Sequence, residues 1–304
     1  MFQRLILLPL AAAALALPAP GQSHPPPGAA SAYAAREAQR LEVQHRFWIR
    51  AGREINAGGL DLRARLREAW NDKIEELAVV EASYAMRRQL LIEFGSGSYR
   101  PLLPPSEFSA DITHPYMPFV PGRTLVYERQ TAEGLERIET SALQEVIMIQ
   151  GIPCRPIREY ETLDGKLVEE SINWISQRVD GSVWYFGEIA RIYEDGFLSS
   201  LDGSWRYGVD GAQPGVLMPA QPQVGQVYRQ EFLLGTAEDV ARVLDTNATE
   251  TISGHTLTSC VVTQEETPIE PDDLGTKTYA PGVGLVLEVD VATGGRLELV
   301  DVID

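Results

Sequence analysis

Histidine and cysteine are scarce in this chain of 304 residues, which contains four His and two Cys. Because structural and catalytic zinc is held by closely placed His, Cys and carboxylate ligands, and no His-x-x-x-His or Cys-x-x-Cys motif occurs, a zinc site is not expected. A Gly-x-Ser-x-Gly elbow, a phosphate-binding loop, a nucleotide fingerprint and an EF-hand loop are also absent. The enzymes and calcium sensors that depend on these motifs are therefore disfavoured.

Positive charge is sparse after residue 100. Residues 1–100 hold 13 Lys and Arg against 10 Asp and Glu, whereas residues 101–304 hold 13 against 33. A region this acidic repels phosphate backbones, so nucleic acid is not an expected partner. The partner could still be a small molecule or a protein. The simpler explanation of the acidity is that it keeps the protein in solution. No cofactor is expected, except that a structural calcium ion stays open; its removal by a chelator would lower the melting temperature.

Long apolar runs are also missing, apart from Leu5 to Leu17 near the N-terminus. This run follows Arg4 and precedes the small residues Ala19-Pro20-Gly21, an order typical of a secretory signal peptide cleaved after Gly21. It is shorter than the ~20 residues of a membrane span, and no Cys follows it, so no membrane anchor is expected. We predict a periplasmic or extracellular protein, with a disordered Pro/Gly/Ser/Ala spacer over residues 22–32. A buried N-terminal helix is the alternative for residues 1–21.

Residues 33–94 have the apolar periodicity of two helices. In the first, Leu41, His45, Trp48 and Ile55 recur on one stripe, and the second runs to about Phe94. The break at residues 56–59 between them predicts a helical hairpin. Residues 95–122 then contain six prolines, which predicts a linker.

A row of Asp-Gly dipeptides follows within residues 123–304. Because Asp-Gly suits the positive backbone angles of tight hairpin turns, the row predicts an antiparallel meander. The run Val183–Phe186 is apolar on both faces and must be covered on both sides. The predicted fold is therefore α+β, with the hairpin packed on or beside a curved or barrel-like sheet. The dipeptides are Asp164-Gly165, Asp180-Gly181, Asp195-Gly196, Asp202-Gly203 and Asp210-Gly211.

A weak internal repeat relates the two halves of this region. The string Ile149-Gln150-Gly151 before Cys154 is matched by Ile252-Ser253-Gly254 before Cys260. Two related half-sheets would bring the two cysteines close together. Cys154 and Cys260 are therefore the candidate disulfide of an exported protein, with two buried free thiols as the alternative.

Aromatic and acidic residues gather in the centre of the meander. Residues 210–220 are predicted as an ordered Gly/Pro loop over a cavity or a sheet edge. A strand in which Arg229 and Glu231 share one face and a short helix at 236–244 are predicted to follow. A lone Arg in an acidic domain is expected to be paired. The candidate ligand-binding residues are Trp184, Trp205, Tyr207, Met218, Arg229 and Glu231.

Three functions fit these residues. The leading hypothesis is a non-enzymatic binding module for a small apolar or amphipathic ligand held against the sheet. The second is a hydrolase or lyase with Glu188 and Glu231 as its two carboxylates. The third is a protein-interaction domain that uses the helical hairpin.

Several strings resemble a family of uncharacterised exported bacterial proteins that are rich in β-structure. These are DGSVWYFGE at 180–188, GSWRYGVDGAQPG at 203–215, MPAQPQVGQVYRQE at 218–231, AEDVARVL at 237–244 and YAPGVGLVLE at 279–288. The resemblance covers roughly residues 115–290 and implies export and a single β domain. It implies no reaction, cofactor or catalytic residue, and it leaves out the helical hairpin.

Overall fold

The computed structural model describes residues 27–304; the predicted signal peptide and residues 22–26 of the predicted spacer lie outside the described residues. Helix α1 spans Pro27–Ala57 and helix α2 spans Leu62–Phe94. The spacer prediction is therefore wrong for residues 27–32, which are helical. The N–H of Gly28 donates to the carbonyl of Ser96 at 2.9 Å, which joins this part of α1 to the chain after α2.

The two helices form the predicted hairpin. They are joined through Gly58 and Gly59, whose φ angles of 61° and 99° favour glycine. Ion pairs link them along their length, including Arg36–Glu81 at 2.7 Å and Arg46–Glu76 at 2.6 Å. In the part of the chain that the structure describes, no helix combines the length and apolar character needed to cross a bilayer.

The predicted apolar stripe of α1 does not pack against other elements. Leu41, Trp48 and Ile55 are each about 60 % exposed. Small side chains such as Ala51 of α1 and Ala69 of α2 are buried instead. The helices therefore meet through residues outside the predicted stripe of α1, which include the buried Val43 and an edge contact of Phe47 with Trp70, and the stripe prediction is wrong. Contact with another protein through this hairpin stays a prediction.

Nineteen strands and one short 3₁₀ helix, Pro105–Glu107, lie within the described residues after α2. The strands are β1 Phe108–Ser109, β2 Ile112–His114, β3 Met117–Phe119, β4 Thr124–Gln130, β5 Leu135–Ala142, β6 Ile147–Ile149, β7 Ile152–Leu163, β8 Lys166–Arg178, β9 Val183–Glu194, β10 Phe197–Ser200, β11 Trp205–Arg206, β12 Gln213–Met218, β13 Val227–Arg229, β14 Glu231–Phe232, β15 Val240–Ile252, β16 His255–Glu266, β17 Leu274–Ala280, β18 Gly284–Asp290 and β19 Arg296–Ile303.

The strands form a nearly closed, barrel-like antiparallel sheet, as predicted. Strands β4, β5, β7, β8, β9 and β12 are successive neighbours, and β15 to β19 form a second run. The runs meet where β19 pairs with β4, with Leu299 opposite Tyr127. On the other side, β14 pairs with β12 and β13 pairs with β15, so the short stretch 227–232 bridges the two runs. These strands are called the barrel below.

All five Asp-Gly dipeptides lie in turns between strands, which confirms the basis of the meander prediction. In Asp164-Gly165, between β7 and β8, the φ angles are 48° and 74°, the pattern of a type I′ hairpin turn. Asp195-Gly196 and Asp210-Gly211 also have two positive φ angles. In Asp180-Gly181 and Asp202-Gly203 only the glycine has one.

Three local predictions are wrong. Residues 95–122 are not all linker, because β1 pairs with β8 and β2 pairs with β3; short edge strands tolerate proline. The predicted loop at 210–220 contains strand β12, in which Pro214 lies where the partner changes from β14 to β9. The predicted helix at 236–244 is a turn followed by β15, because pairing with β13 and β16 overrides the local helical preference.

The predicted disulfide is not formed. Cys154 and Cys260 are both free and fully buried. Cys154 packs with Trp184 and Phe186, whereas Cys260 packs with Ile252 and other residues of a separate cluster. The matching turns at Gln150-Gly151 and Ser253-Gly254 therefore occur at separate positions in the sheet, and the cysteines stay apart.

Candidate functional site

The inner face of the barrel is here called the lumen. It carries a group of ionisable residues. Side chains alternate along each strand, so residues that share a face continue from one strand to its neighbour. Asn173 lies opposite Glu188, which lies opposite Trp205; Thr263 lies opposite Lys277, which lies opposite Glu288. The ionisable residues of the lumen include Glu159, Glu188, Glu231, Asp239, Glu265, Lys277 and Glu288, and the same face continues to Glu161, Glu169 and the pair of Arg129 with Glu136.

One end of the lumen is apolar. Its largest hydrophobic cluster includes Ile157, Val183, Met218, Val243 and Val261 from five strands. The hairpin of β2 and β3 adds its own apolar side chains to the same cluster and so covers this end. The lumen therefore has an apolar floor and a wall of charged side chains.

Lys277 is a cation of this wall and is held by acceptors. Its Nζ lies 2.7 Å from Glu265 Oε2 and 3.8 Å from Glu288 Oε2. Burial alone would lower the pKa of Lys277, but Glu265 and Glu288 raise it well above its ordinary value. Glu265 also accepts hydrogen bonds from Tyr279 Oη at 3.3 Å and from Gln230 Nε2 at 3.1 Å. The charge of Lys277 is thus paired within the protein.

The other carboxylates are much less well compensated. Burial raises the pKa of Glu188 to about 7, with a smaller opposing effect from the Tyr185 hydroxyl. Burial, followed by the nearby charges of Asp239 and Glu188, raises the pKa of Glu231 well above its ordinary value. Burial also raises the pKa values of Glu159 and Asp239. The lumen consequently favours an additional positive charge.

Glu231 and Trp205 are also incompletely satisfied as hydrogen-bonding groups. Glu231 is 7 % exposed and Trp205 is 4 % exposed. Among the described residues, Glu231 Oε2 and Trp205 Nε1 make no hydrogen bond of regular geometry, although the indole is close enough to favour the charged carboxylate. Buried polar atoms of this kind are unusual in folded proteins, which makes the lumen the candidate site.

The structure separates the predicted ligand-binding residues into three places. Trp205, Met218 and Glu231 lie in the lumen, together with Glu188. Trp184 and Tyr207 lie in the cluster of Phe108, Phe186 and Cys154 outside it. Arg229 lies against the end of α2, next to Phe94 and Tyr99. Their role in binding stays a prediction.

Arg229 and Glu231 do not share a face, and this prediction is wrong. Gln230 interrupts the strand between β13 and β14, and its side chain reaches Glu265 in the lumen. Two consecutive side chains, Gln230 and Glu231, therefore point inward, while Arg229 points outward. Such an irregularity leaves no trace in a regular alternation of residues.

The lumen residues that were not anticipated from the sequence include Glu159, Asp239, Glu265, Lys277 and Glu288. The sequence signal for such residues is a strand face on which polar residues follow apolar ones at every second position. In β16, Val261, Thr263 and Glu265 form such a face. That pattern is equally typical of a strand with one face in solvent. Only the register of the strands shows that this face points into the barrel.

The lumen residues do not form a recognisable metal centre. Within residues 27–304, no group of three or more His, Cys, Asp or Glu side chains is arranged to hold a metal ion. The open question of a structural calcium ion is not tested by this finding.

Comparison with known proteins adds little. No family model matches the chain, and no curated protein matches it. Its fold is similar to the crystal structure of a putative lipoprotein from Parabacteroides distasonis, with 13 % sequence identity and a TM-score of 0.33, over 62 % of this chain and 98 % of the other. A likeness at this level assigns neither a fold family nor a function.

Proposed function

We propose that this chain is an exported, non-enzymatic binding module that holds a small amphipathic ligand with a basic head group in the lumen. The observation that carries the proposal is that the side chain of Glu231 is buried above an apolar floor and that its Oε2 has no hydrogen bond of regular geometry among the described residues. A basic group would supply the missing donor, and the floor would accept the apolar part of the ligand.

The enzymatic alternative is less well supported by the same residues. A two-carboxylate mechanism needs one acid that is protonated and one that is ionised. Burial raises the pKa of both Glu188 and Glu231. Lys277 lies with Glu265 and Glu288, and within residues 27–304 no ion pair joins a cation to Glu188 or Glu231. A bound cation would stabilise the ionised form of both groups.

Export is part of the proposal and has its own test. It is supported by the charged, apolar and small-residue order of residues 1–21. N-terminal sequencing of the protein recovered from outside the cytoplasm is expected to start near Gln22. A start at Met1 in that material would contradict the processing.

Binding is tested with three probes of equal chain length: octylamine, octan-1-ol and octanoate. In calorimetric titrations, octylamine is expected to bind, and Glu231→Gln to weaken it by roughly tenfold or more, as for a lost charge-assisted contact. Glu128→Gln on the outer face of β4, where Glu128 contacts Arg137 at 2.7 Å, is the matched control. Equal affinity for octan-1-ol, or an unchanged affinity in Glu231→Gln, would contradict the lumen site.

A further inference from the structure

A cavity lies between the helical hairpin and the barrel. It has a volume of about 250 Å³ and is bounded by the start of α1, the end of α2 and strands β12 to β14. We call it the hairpin cleft. Its apolar wall consists of Ala32, Leu90, Leu91, Phe232 and Leu234.

Buried charges fix the hairpin at this place. Arg87 donates to both oxygens of Glu238, at 2.7 to 3.1 Å, and both side chains are almost fully buried. Glu238 also accepts the N–H of Gly235 at 2.8 Å. Both the carboxylate of Glu238 and the guanidinium of Arg87 are thus occupied within the protein.

Arg229 lines the same cleft but has no such partner. Its guanidinium carbon lies 4.6 Å from the ring centre of Phe94, 4.7 Å from that of Phe232 and 5.7 Å from that of Tyr99. Among the described residues it makes neither a hydrogen bond nor an ion pair. Burial lowers its pKa, and the more distant charge of Glu238 offsets only part of this effect.

Within residues 27–304, the guanidinium group of Arg229 lacks the hydrogen-bond acceptors that a buried arginine normally has. It carries five N–H donors that match the two oxygens of a carboxylate or phosphate. Aromatic rings compensate its charge but accept no hydrogen bond of normal strength. An anion placed in the cleft would fill this need without displacing an existing contact.

The local charge balance points the same way. Arg87, Arg100 and Arg229 line the cleft, and Glu238 is the carboxylate that faces them. This excess of positive charge stands out in a region that is otherwise strongly acidic. An anion is therefore attracted to this cavity and repelled by the rest of the surface.

We propose that the hairpin cleft binds a small amphipathic carboxylate, whose head group pairs with Arg229 and whose apolar part lies against Leu90, Leu91 and Phe232. The volume is slightly below the ~300–1,000 Å³ of pockets for drug-sized ligands, which suits a short chain. This site is separate from the lumen and has the opposite charge preference, so the two proposals fail independently.

The test uses the same three probes and inorganic phosphate on the full chain. Octanoate is expected to bind more tightly than octan-1-ol and phosphate, because only octanoate uses both the guanidinium and the apolar wall. Arg229→Gln is expected to weaken octanoate binding by roughly tenfold or more. Arg242→Gln, which removes a nearby arginine paired with Glu93 at 2.7 Å outside the cleft, should leave it unchanged.

Two results would overturn the proposal. One is octanoate binding that is equally strong in Arg229→Gln, which would leave Arg229 with a packing role only. The other is a wild-type protein that binds octan-1-ol or phosphate at least as tightly as octanoate, or binds none of them up to ~1 mM. This second comparison needs no variant and so holds even where Arg229→Gln fails to fold.

Discussion

Arg229 ends strand β13, Glu231 begins strand β14, and the two side chains face opposite sides of the barrel wall. Arg229 stacks on Phe94 and Phe232 beneath the hairpin, whereas Glu231 lies near Trp205 in the lumen. A single stretch of backbone therefore contributes a cation to one cavity and a carboxylate to another. It is also the stretch that joins the two runs of the sheet.

This arrangement places the charged groups of both proposed sites on one short stretch of backbone. Arg229 and Glu231 are the two chain neighbours of Gln230. A displacement of residues 229–231 would therefore move both charged groups. The N–H of Gln230 donates to the carbonyl of Asp239 at 2.8 Å, which holds this stretch against the start of β15. The closure of the barrel and the two proposed sites thus depend on the same hydrogen bonds.

The raised pKa of Glu188 predicts that the protein loses stability as the pH rises. A folded-state pKa of about 7 lies above the ordinary value of 4.5, so the folded state binds the proton more tightly than the unfolded state. Stability should fall as the pH rises from about 4.5 to 7 and then stay level, by up to roughly 3 kcal/mol from this group. Glu188→Gln should remove that part of the decline.

The measurement is urea unfolding of both proteins at a series of pH values. Glu188→Gln should be more stable than the wild type at pH 7.5 and closer to it at pH 4.5. Parallel stability curves over this range would show that the carboxylate is not perturbed by the lumen.

The buried pair of Arg87 and Glu238 predicts a large cost when one partner is removed. Arg87→Met leaves Glu238 buried without its cation, and such losses reach ~3–5 kcal/mol. The double variant Arg87→Met with Glu238→Leu should recover most of this loss, because no uncompensated charge remains. A double-mutant cycle measured by chemical denaturation gives the coupling. Additive effects would mean that the two side chains do not interact strongly.

Both cysteines are expected to be unreactive in the folded protein. Burial raises the pKa of the Cys154 thiol to about 12, so little thiolate is present at neutral pH. Iodoacetamide should modify neither thiol under native conditions, and both in denaturant without a reductant, as shown by intact mass. An unmodified mass in denaturant would reveal a disulfide instead.

The general architecture could be predicted from local signals. The Asp-Gly dipeptides form turns because two positive φ angles are needed there, a requirement of the backbone alone. The Gly58-Gly59 break of the hairpin follows from the same physics. Features set by one or two residues are therefore well predicted.

Features set by partners elsewhere in the chain were not predicted. Residues 236–244 have a helical composition, yet β15 forms because two strands offer it hydrogen bonds. The lumen was only partly anticipated: Trp205, Met218 and Glu231 lie there, but Lys277 joins them through the register of β16 with β17. The irregularity at Gln230, which separates Arg229 from Glu231, has no local signature.

Strand β12 passes so close to residues 229–230 that we expect Gly215 not to tolerate a side chain. A Cβ at this position would lie 2.3 to 2.4 Å from backbone atoms of Arg229 and Gln230, so the two strands would have to separate. Gly215→Ala should cost more than the ~1–3 kcal/mol of ordinary overpacking, because backbone cannot rotate away as a side chain can. It should also weaken both octylamine and octanoate binding, since residues 229–231 would shift.

Gly52→Ala is the matched control for this change. No atom lies within 4 Å of a Cβ at Gly52, and the residue is inside helix α1. Alanine should therefore stabilise the protein by roughly 0.5–1 kcal/mol through helix propensity and leave binding unchanged. Thermal unfolding and the two titrations measure both variants side by side. A Gly215→Ala protein with wild-type stability and affinity would mean that β12 and the stretch 229–230 are not in contact, and that the barrel is open at this seam.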